Sequence, residues 1–222
     1  MDRSRMPLRF ILLLATLTVA AFPAHAQCPL EPGSVSVSVT KKPVRITYHS
    51  NLNRQQIAAL QGGGPSGAYQ QIGLTRARPN YRLYVEGSAS RDNRGQTCAV
   101  LTKARITITV PELDVYITND YRKGSCLYKA VLTHELKHVK ILRDGLDLMI
   151  DRMSKGLSPA AAMAGVATGP NAEAALNQLK ARVQKHMRPI FNAWQVESRR
   201  ANAALDAKES FVSEDALCAQ IQ

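Results

Sequence analysis

The hydrophobic period of this chain changes near residue 120, and this change is the strongest constraint on its fold. Before it, β-branched or alternating segments predict strands at residues 35–39, 44–48, 81–85 and 104–110. After Gly124 the period becomes 3.6, which predicts a helix over about 127–153 and a long helical segment over about 172–208. The sequence therefore predicts an α+β fold, in which an N-terminal, mainly β region packs against a C-terminal helical region.

Glycine and proline mark the turns and the ends of the predicted strands and helices. The sequence Asp-Asn-Arg-Gly at 92–95 predicts a hairpin turn between two strands. A short helix is expected over 54–60, ended by the glycines and proline of 62–65. Pro111 indicates an edge or a strand terminus for the segment before it. The Gly-, Pro- and Ala-rich connection at 156–170 is predicted to be a loop with some helix, so the chain is expected to form one domain.

Residues 1–26 have the layout of a secretory signal peptide. Arginines precede an apolar run at 10–21, and Ala-His-Ala at 24–26 provides a small-x-small cleavage site. The run is shorter than the roughly 20 apolar residues that span a bilayer. We therefore expect cleavage to leave a single domain, 27–222, in the periplasm or outside the cell, without a stable membrane span. An uncleaved membrane anchor is the alternative interpretation.

Basic residues outnumber acidic ones, with 29 Lys and Arg against 17 Asp and Glu. The first 26 residues hold three arginines and one aspartate, so their removal changes the formal net charge from +12 to +10. This charge favours anionic partners, such as an anionic envelope component or acidic substrates. No nucleic-acid recognition motif accompanies the charge, so no nucleic acid is predicted as partner. Basic residues scattered over a solvated surface are the simpler alternative.

Four cysteines are present, and an even number in an exported chain predicts two disulfides. Three pairings are possible. The positions that flank the two regions favour Cys28 with Cys98 and Cys126 with Cys218. Zinc ligation by cysteine is disfavoured because the sequence contains no Cys-x-x-Cys pair.

The strongest chemical signal is His-Glu-Leu-Lys-His at 134–138. Imidazoles four residues apart project from one helix face, so His134 and His138 can bind the same tetrahedral ion. Glu135 lies about 100° around the helix from His134. From there it can take a proton from zinc-activated water and pass it to a leaving amine. All three side chains fall within the apolar arc of the helix, where a divalent metal compensates the burial of a carboxylate. Two core histidines on an ordinary helix are the alternative.

The segment 130–139, Ala-Val-Leu-Thr-His-Glu-Leu-Lys-His-Val, resembles the active-site helix of zincin metallopeptidases. The resemblance implies that His134 and His138 bind zinc and that Glu135 is catalytic. The disulfide-bearing, exported layout also resembles a bacterial family of predicted secreted zinc-dependent proteases of uncharacterised function. The predicted function is thus an exported zinc-dependent peptidase acting on peptides or proteins. A noncatalytic envelope-binding module with a structural or vestigial metal site is the alternative.

A third metal ligand is expected from a later helix, as the resemblance to zincins of the glutamate type implies. Asp144 is discounted, because in a continued helix it points away from His138. A Cys126–Cys218 disulfide would tie the chain just after Glu209 to the start of the motif helix, which favours Glu209 or Asp206. We predict Glu209 as the ligand; an exposed glutamate near a helix end is its alternative. The wider set of candidates is Glu173, His186, Glu197, Asp206, Glu209 and Glu214.

Overall fold

The computed structural model describes residues 28–60, 72–209 and Cys218. Over these residues the chain has a mixed α+β architecture, with strands first and long helices last, which confirms the predicted fold class. The strands are β1 Ser36–Lys41, β2 Thr47–His49, β3 Gly73–Ala77, β4 Asn80–Arg91, β5 Thr97–Thr109, β6 Leu113–Ile117 and β7 Val166–Gly169. The helices are α1 Arg54–Leu60, α2 Cys126–Met163 and α3 Ala172–Glu209.

The strands form two sheets. In the larger one, β5 is central: it pairs with β1 in parallel and with β4 and β7 in antiparallel orientation. The smaller sheet has the order β2-β6-β3, with β2 parallel and β3 antiparallel to β6. Pro111 follows the end of β5, so it marks a strand terminus, as predicted, and not an edge strand. Strands β3, β6 and β7 were not predicted; each has only four or five residues.

The predicted turn at 92–95 joins β4 to β5. Asp92 Oδ1 accepts hydrogen bonds from the backbone N–H groups of Arg94 and Gln96, each at 2.9 Å. Gly95 has a φ of 77°, a conformation that is sterically cheap only for glycine. The sequence signal for this hairpin is confirmed because its chemistry is local: an aspartate that bonds its own turn and a glycine with positive φ.

The main core lies between the larger sheet and helices α2 and α3. Alternate residues of β5, Ala104, Ile106 and Ile108, are fully buried and face the helices. The helices contribute side chains at three- and four-residue spacing, the period expected of a buried helical stripe. These are Leu142, Leu146, Met149, Met153 and Leu157 from α2 and Leu179, Val183 and Met187 from α3. Burying each large side chain contributes about 1.5–3 kcal/mol.

The predicted end of α2 near residue 153 is wrong, because the helix continues to Met163. Leu157 extends the buried stripe, while Pro159 lies on the exposed face. A proline inside a helix costs about 3 kcal/mol, and this cost is offset by the burial of this turn against α3. Gly156 permits the close approach, since a Cβ there would lie 3.0 Å from Ile190 Cδ1. The rest of the predicted loop holds β7, which pairs with β5.

Both predicted disulfides are present. Cys28 bonds Cys98 with a Cα–Cα distance of 5.8 Å, and Cys126 bonds Cys218 with 5.5 Å. The second bond ties the first residue of α2 to the chain beyond α3. Two disulfides are typical of an oxidising extracellular environment. In the part of the chain that the structure describes, no helix combines the length and apolarity that a membrane crossing needs. The predicted signal peptide lies outside the described residues.

Candidate metal centre

Helix α2 carries the predicted motif near its start. The side chain of Ser125 caps the helix by accepting a hydrogen bond from the Tyr128 backbone N–H at 3.3 Å. Two turns later, His134 and His138 project from one side of α2, with their rings 4.8 Å apart and nearly perpendicular. Their Nε2 atoms lie 3.1 Å from each other. The helical spacing therefore brings two imidazole nitrogens to one point, as predicted.

Asp206, on the last turns of α3, brings a carboxylate to the same point. Its Oδ1 lies 2.9 Å from His138 Nε2 and 3.3 Å from His134 Nε2. A tetrahedral zinc site with bonds of 2.0–2.1 Å places its ligand atoms roughly 3.3 Å apart. The three atoms thus have the identity and the mutual spacing of three zinc ligands. The donor set of two imidazoles and one carboxylate fits zinc and leaves a fourth direction for another ligand.

The exposure of these side chains differs across the site. The His138 side chain is 12% exposed, that of His134 is 24% exposed, and that of Asp206 is 58% exposed. The histidines are therefore held against the protein while the carboxylate faces solvent. An ion and a further ligand can reach the cluster from the side of Asp206.

Glu135 lies about a quarter turn around α2 from His134, on the buried part of the helix surface, and is 4% exposed. Its Oε2 accepts a hydrogen bond of 2.7 Å from the hydroxyl of Thr75 on β3. Burial raises the pKa of Glu135 above its ordinary value, while the Thr75 hydrogen bond and the two histidines act in the opposite direction. A carboxylate with a raised pKa is a stronger base, and a base is the role that the motif predicts for it.

Close packing of β3 against α2 depends on Gly73. A Cβ at this position would lie 2.5 Å from Glu135 Oε1 and 2.7 Å from Val131 Cγ1. No real side chain tolerates such contacts, so glycine is what lets the strand approach the carboxylate. The smaller sheet therefore positions Glu135 through two residues of one edge strand.

The structure separates the candidates for the third ligand. Glu197 pairs with Arg152, and Asp144 pairs with Lys140 along α2. His186 precedes Asp206 by 20 positions on the same helix, which corresponds to roughly 30 Å. Among the candidates whose side chains the structure describes, Asp206 lies beside the histidines. Glu173 is in the first turn of α3, far from Asp206 at the other end.

Glu209, the predicted ligand, is the last residue of α3. The structure describes its backbone but not its side chain. Its ligation stays a prediction. Glu214 lies wholly outside the described residues.

Three residues that surround the site were not predicted from the sequence. Thr75 and Gly73 gave no signal, because their contacts with Glu135 span 60 or more positions of the chain. Asn202, whose Oδ1 lies 2.7 Å from His138 Nδ1, precedes Asp206 by four positions. This i, i+4 spacing of two polar residues on one helix was a usable signal. The predicted apolar arc of α2 is largely confirmed, although Leu148 within it is 46% exposed.

Comparisons with known proteins assign no family. No protein-family model, curated protein or solved structure matches this chain. The resemblance to zincins therefore depends on the motif of α2 alone, and it stays a prediction.

Proposed function

We propose that this chain is an exported zinc-dependent peptidase, with zinc held by His134, His138 and Asp206 and with Glu135 as general base. The observation that carries the proposal is the convergence of two Nε2 atoms and one carboxylate oxygen, all within 3.3 Å of one another. Three metal-binding atoms at this spacing, beside a buried carboxylate on the same helix, are the arrangement that hydrolysis by activated water requires.

Each residue of the site has a separate task. When bound, zinc supplies a Lewis acid that polarises a carbonyl and makes water acidic enough to react near neutral pH. Glu135 accepts the proton that the attacking water loses and delivers it to the amine nitrogen as the peptide C–N bond breaks. Thr75 holds this carboxylate in place through its hydroxyl hydrogen bond. The exposed side of the cluster, near Asp206, admits the peptide.

Export to the periplasm or the medium is part of the proposal. The two disulfides fit an oxidising compartment. The layout of residues 1–26 supports delivery by a secretory signal. Identification of the N-terminus by mass spectrometry of the envelope fraction tests this part, with a terminus near Gln27 expected. An intact Met1 on most molecules would contradict cleavage.

The central experiment measures zinc content and peptide cleavage in the same preparations. Wild-type protein should hold one zinc ion and cleave members of a complex peptide library, detected by mass spectrometry of new termini. His134→Ala and His138→Ala should lose both zinc and cleavage. Glu135→Gln should keep zinc and lose a factor of about 10² to 10⁴ in rate, because an amide cannot accept the proton.

Glu173→Gln is the matched control, since it makes the same exchange at an exposed position in the first turn of α3. It should change neither zinc content nor rate. A fully active Glu135→Gln protein would overturn the mechanism. A wild-type protein that binds zinc in a closed, four-ligand site and cleaves nothing would identify the noncatalytic binding module instead.

A further inference from the structure

Helix α3 contacts the His138 ring at Nδ1, the ring nitrogen that does not face Asp206. His138 Nδ1 lies 2.7 Å from Asn202 Oδ1, and the His138 side chain is largely buried. In a neutral imidazole one nitrogen donates and the other accepts, and the tautomer is set by the hydrogen bonds of the ring. The partner of Nδ1 therefore decides what Nε2 can do at the metal centre.

The orientation of the Asn202 amide is fixed by a second hydrogen bond. Asn202 Nδ2 donates to the backbone carbonyl oxygen of Ser198 at 2.8 Å. A reversed amide would turn its oxygen toward that carbonyl oxygen, placing two acceptors against each other. The amide oxygen thus faces His138, and only an N–H at Nδ1 satisfies it. Because Ser198 is one turn earlier on α3, the helix backbone sets the arrangement.

A proton at Nδ1 determines the state of Nε2, the other nitrogen of the His138 ring. With Nδ1 protonated, the neutral His138 ring directs the lone pair of Nε2 toward Asp206 Oδ1, 2.9 Å away. Two acceptors this close repel each other unless a cation or a proton lies between them. The opposite tautomer would place an N–H where the metal must bind. The Asp206 side chain is 58% exposed, so water can solvate its carboxylate, whereas the Asn202 contact is partly buried. The Asn202 contact therefore favours the form of His138 that binds a cation.

From this geometry we propose that Asn202 is a positioning residue, which holds His138 in the Nδ1–H tautomer and so prepares Nε2 for the metal. The inference rests on the proposed metal site, but it concerns the protein before the metal binds. Helix α3 then has two tasks one turn apart: Asp206 supplies a ligand and Asn202 orients another. Partners of this kind change metal affinity by about 10- to 100-fold when they are removed.

The test compares Asn202→Ala with Asn202→Asp in the protein of residues 27–222. Nitrogen NMR of zinc-free protein at about pH 8.5, above the ordinary histidine pKa of about 6.5, reports the His138 tautomer. Wild type should show the Nδ1–H form, and Asn202→Ala should lose this preference. Zinc affinity, measured by competition with a chelator, should fall about 10- to 100-fold in Asn202→Ala. Asn202→Asp keeps an acceptor for the Nδ1–H but loses the hydrogen bond to the Ser198 carbonyl oxygen. It should therefore keep the Nδ1–H tautomer and bind zinc more tightly than Asn202→Ala.

Asn192→Ala is the control, because it removes an exposed asparagine from the same helix. It should leave tautomer and zinc affinity unchanged. An Nε2–H tautomer in wild type, or an Asn202→Ala protein with wild-type zinc affinity, would overturn the inference while leaving the metal site intact. If wild type binds no zinc, the proposed function fails, and the tautomer alone then decides whether Asn202 orients His138.

Discussion

The two sides of helix α2 at the motif are built differently. On the buried side, Glu135 is 4% exposed and accepts a hydrogen bond from Thr75. Gly73 has no side chain that would clash with this carboxylate. On the open side, the histidines meet Asp206, whose side chain is 58% exposed and lies near the end of α3. The proposed base is therefore fixed by a strand in the protein interior, whereas the proposed metal ligands converge near the surface.

This difference predicts that mutations on the two sides of α2 have different consequences. A hydrogen bond or a steric contact in the interior is strong because water cannot replace it. At the surface, water and ions compete, so the geometry depends on how firmly α3 is attached to α2. Changes on the buried side should alter rate and folding stability but spare zinc, whereas changes on the open side should alter zinc affinity first.

The largest effect is expected from Asp206→Ala. Structural zinc sites contribute roughly 10–16 kcal/mol in total, so the loss of one ligand should weaken zinc binding about 10² to 10³-fold. Chelator competition measures the affinity. Glu209→Ala is the paired variant, because Glu209 is the ligand predicted from the sequence. If Glu209→Ala causes the larger loss, the assignment to Asp206 is wrong.

Next in size is the removal of the disulfide that attaches the chain beyond α3 to α2. Cys126→Ser with Cys218→Ser should lower the free energy of unfolding by about 2–4 kcal/mol and also weaken zinc binding, because the end of α3 is released. Cys28→Ser with Cys98→Ser should destabilise similarly but spare zinc affinity. Denaturant unfolding and chelator competition separate the two. Equal losses of zinc affinity would contradict the role assigned to the second disulfide.

Thr75→Val tests the buried side. Valine keeps the shape but removes the donor to Glu135, so a buried carboxylate loses a partner at a cost of about 1.5–3 kcal/mol. We expect lower stability and slower peptide cleavage at unchanged zinc content. Thr102→Val, at an exposed position of β5, is the control and should change neither. Loss of zinc from Thr75→Val would show that the two sides are not separable.

The smallest effect is expected from Gly73→Ala. The added methyl group must displace Glu135 or Val131, and overpacking of this kind costs about 1–3 kcal/mol. Gly33→Ala is the matched control, because nothing lies within 4 Å of the added carbon. Thermal unfolding and cleavage rates together report the shift. A Gly73→Ala protein with wild-type stability and rate would mean that β3 does not fix the carboxylate.

Local chemistry explains which elements were predictable. The hairpin at Asp92 and the histidine pair of α2 depend on residues within five positions of each other. The end of α2 was not predictable from such rules, because Pro159 reads as a helix stop and only the packing of Gly156 against Ile190 shows why the helix continues. Strand β7 likewise exists because β5 offers it a partner.

For the site, the sequence by itself determined that His134 and His138 share one helix face and that Glu135 lies a quarter turn away, since 3.6 residues per turn fix these angles. It also determined that the cysteines were suited to pair. Only the tertiary structure decided that Asp206 meets the histidines, that Asn202 faces His138 and that Thr75 holds Glu135. These contacts join residues 60 or more positions apart. Their partners are chosen by how the helices and the sheet pack, and no local periodicity records that choice.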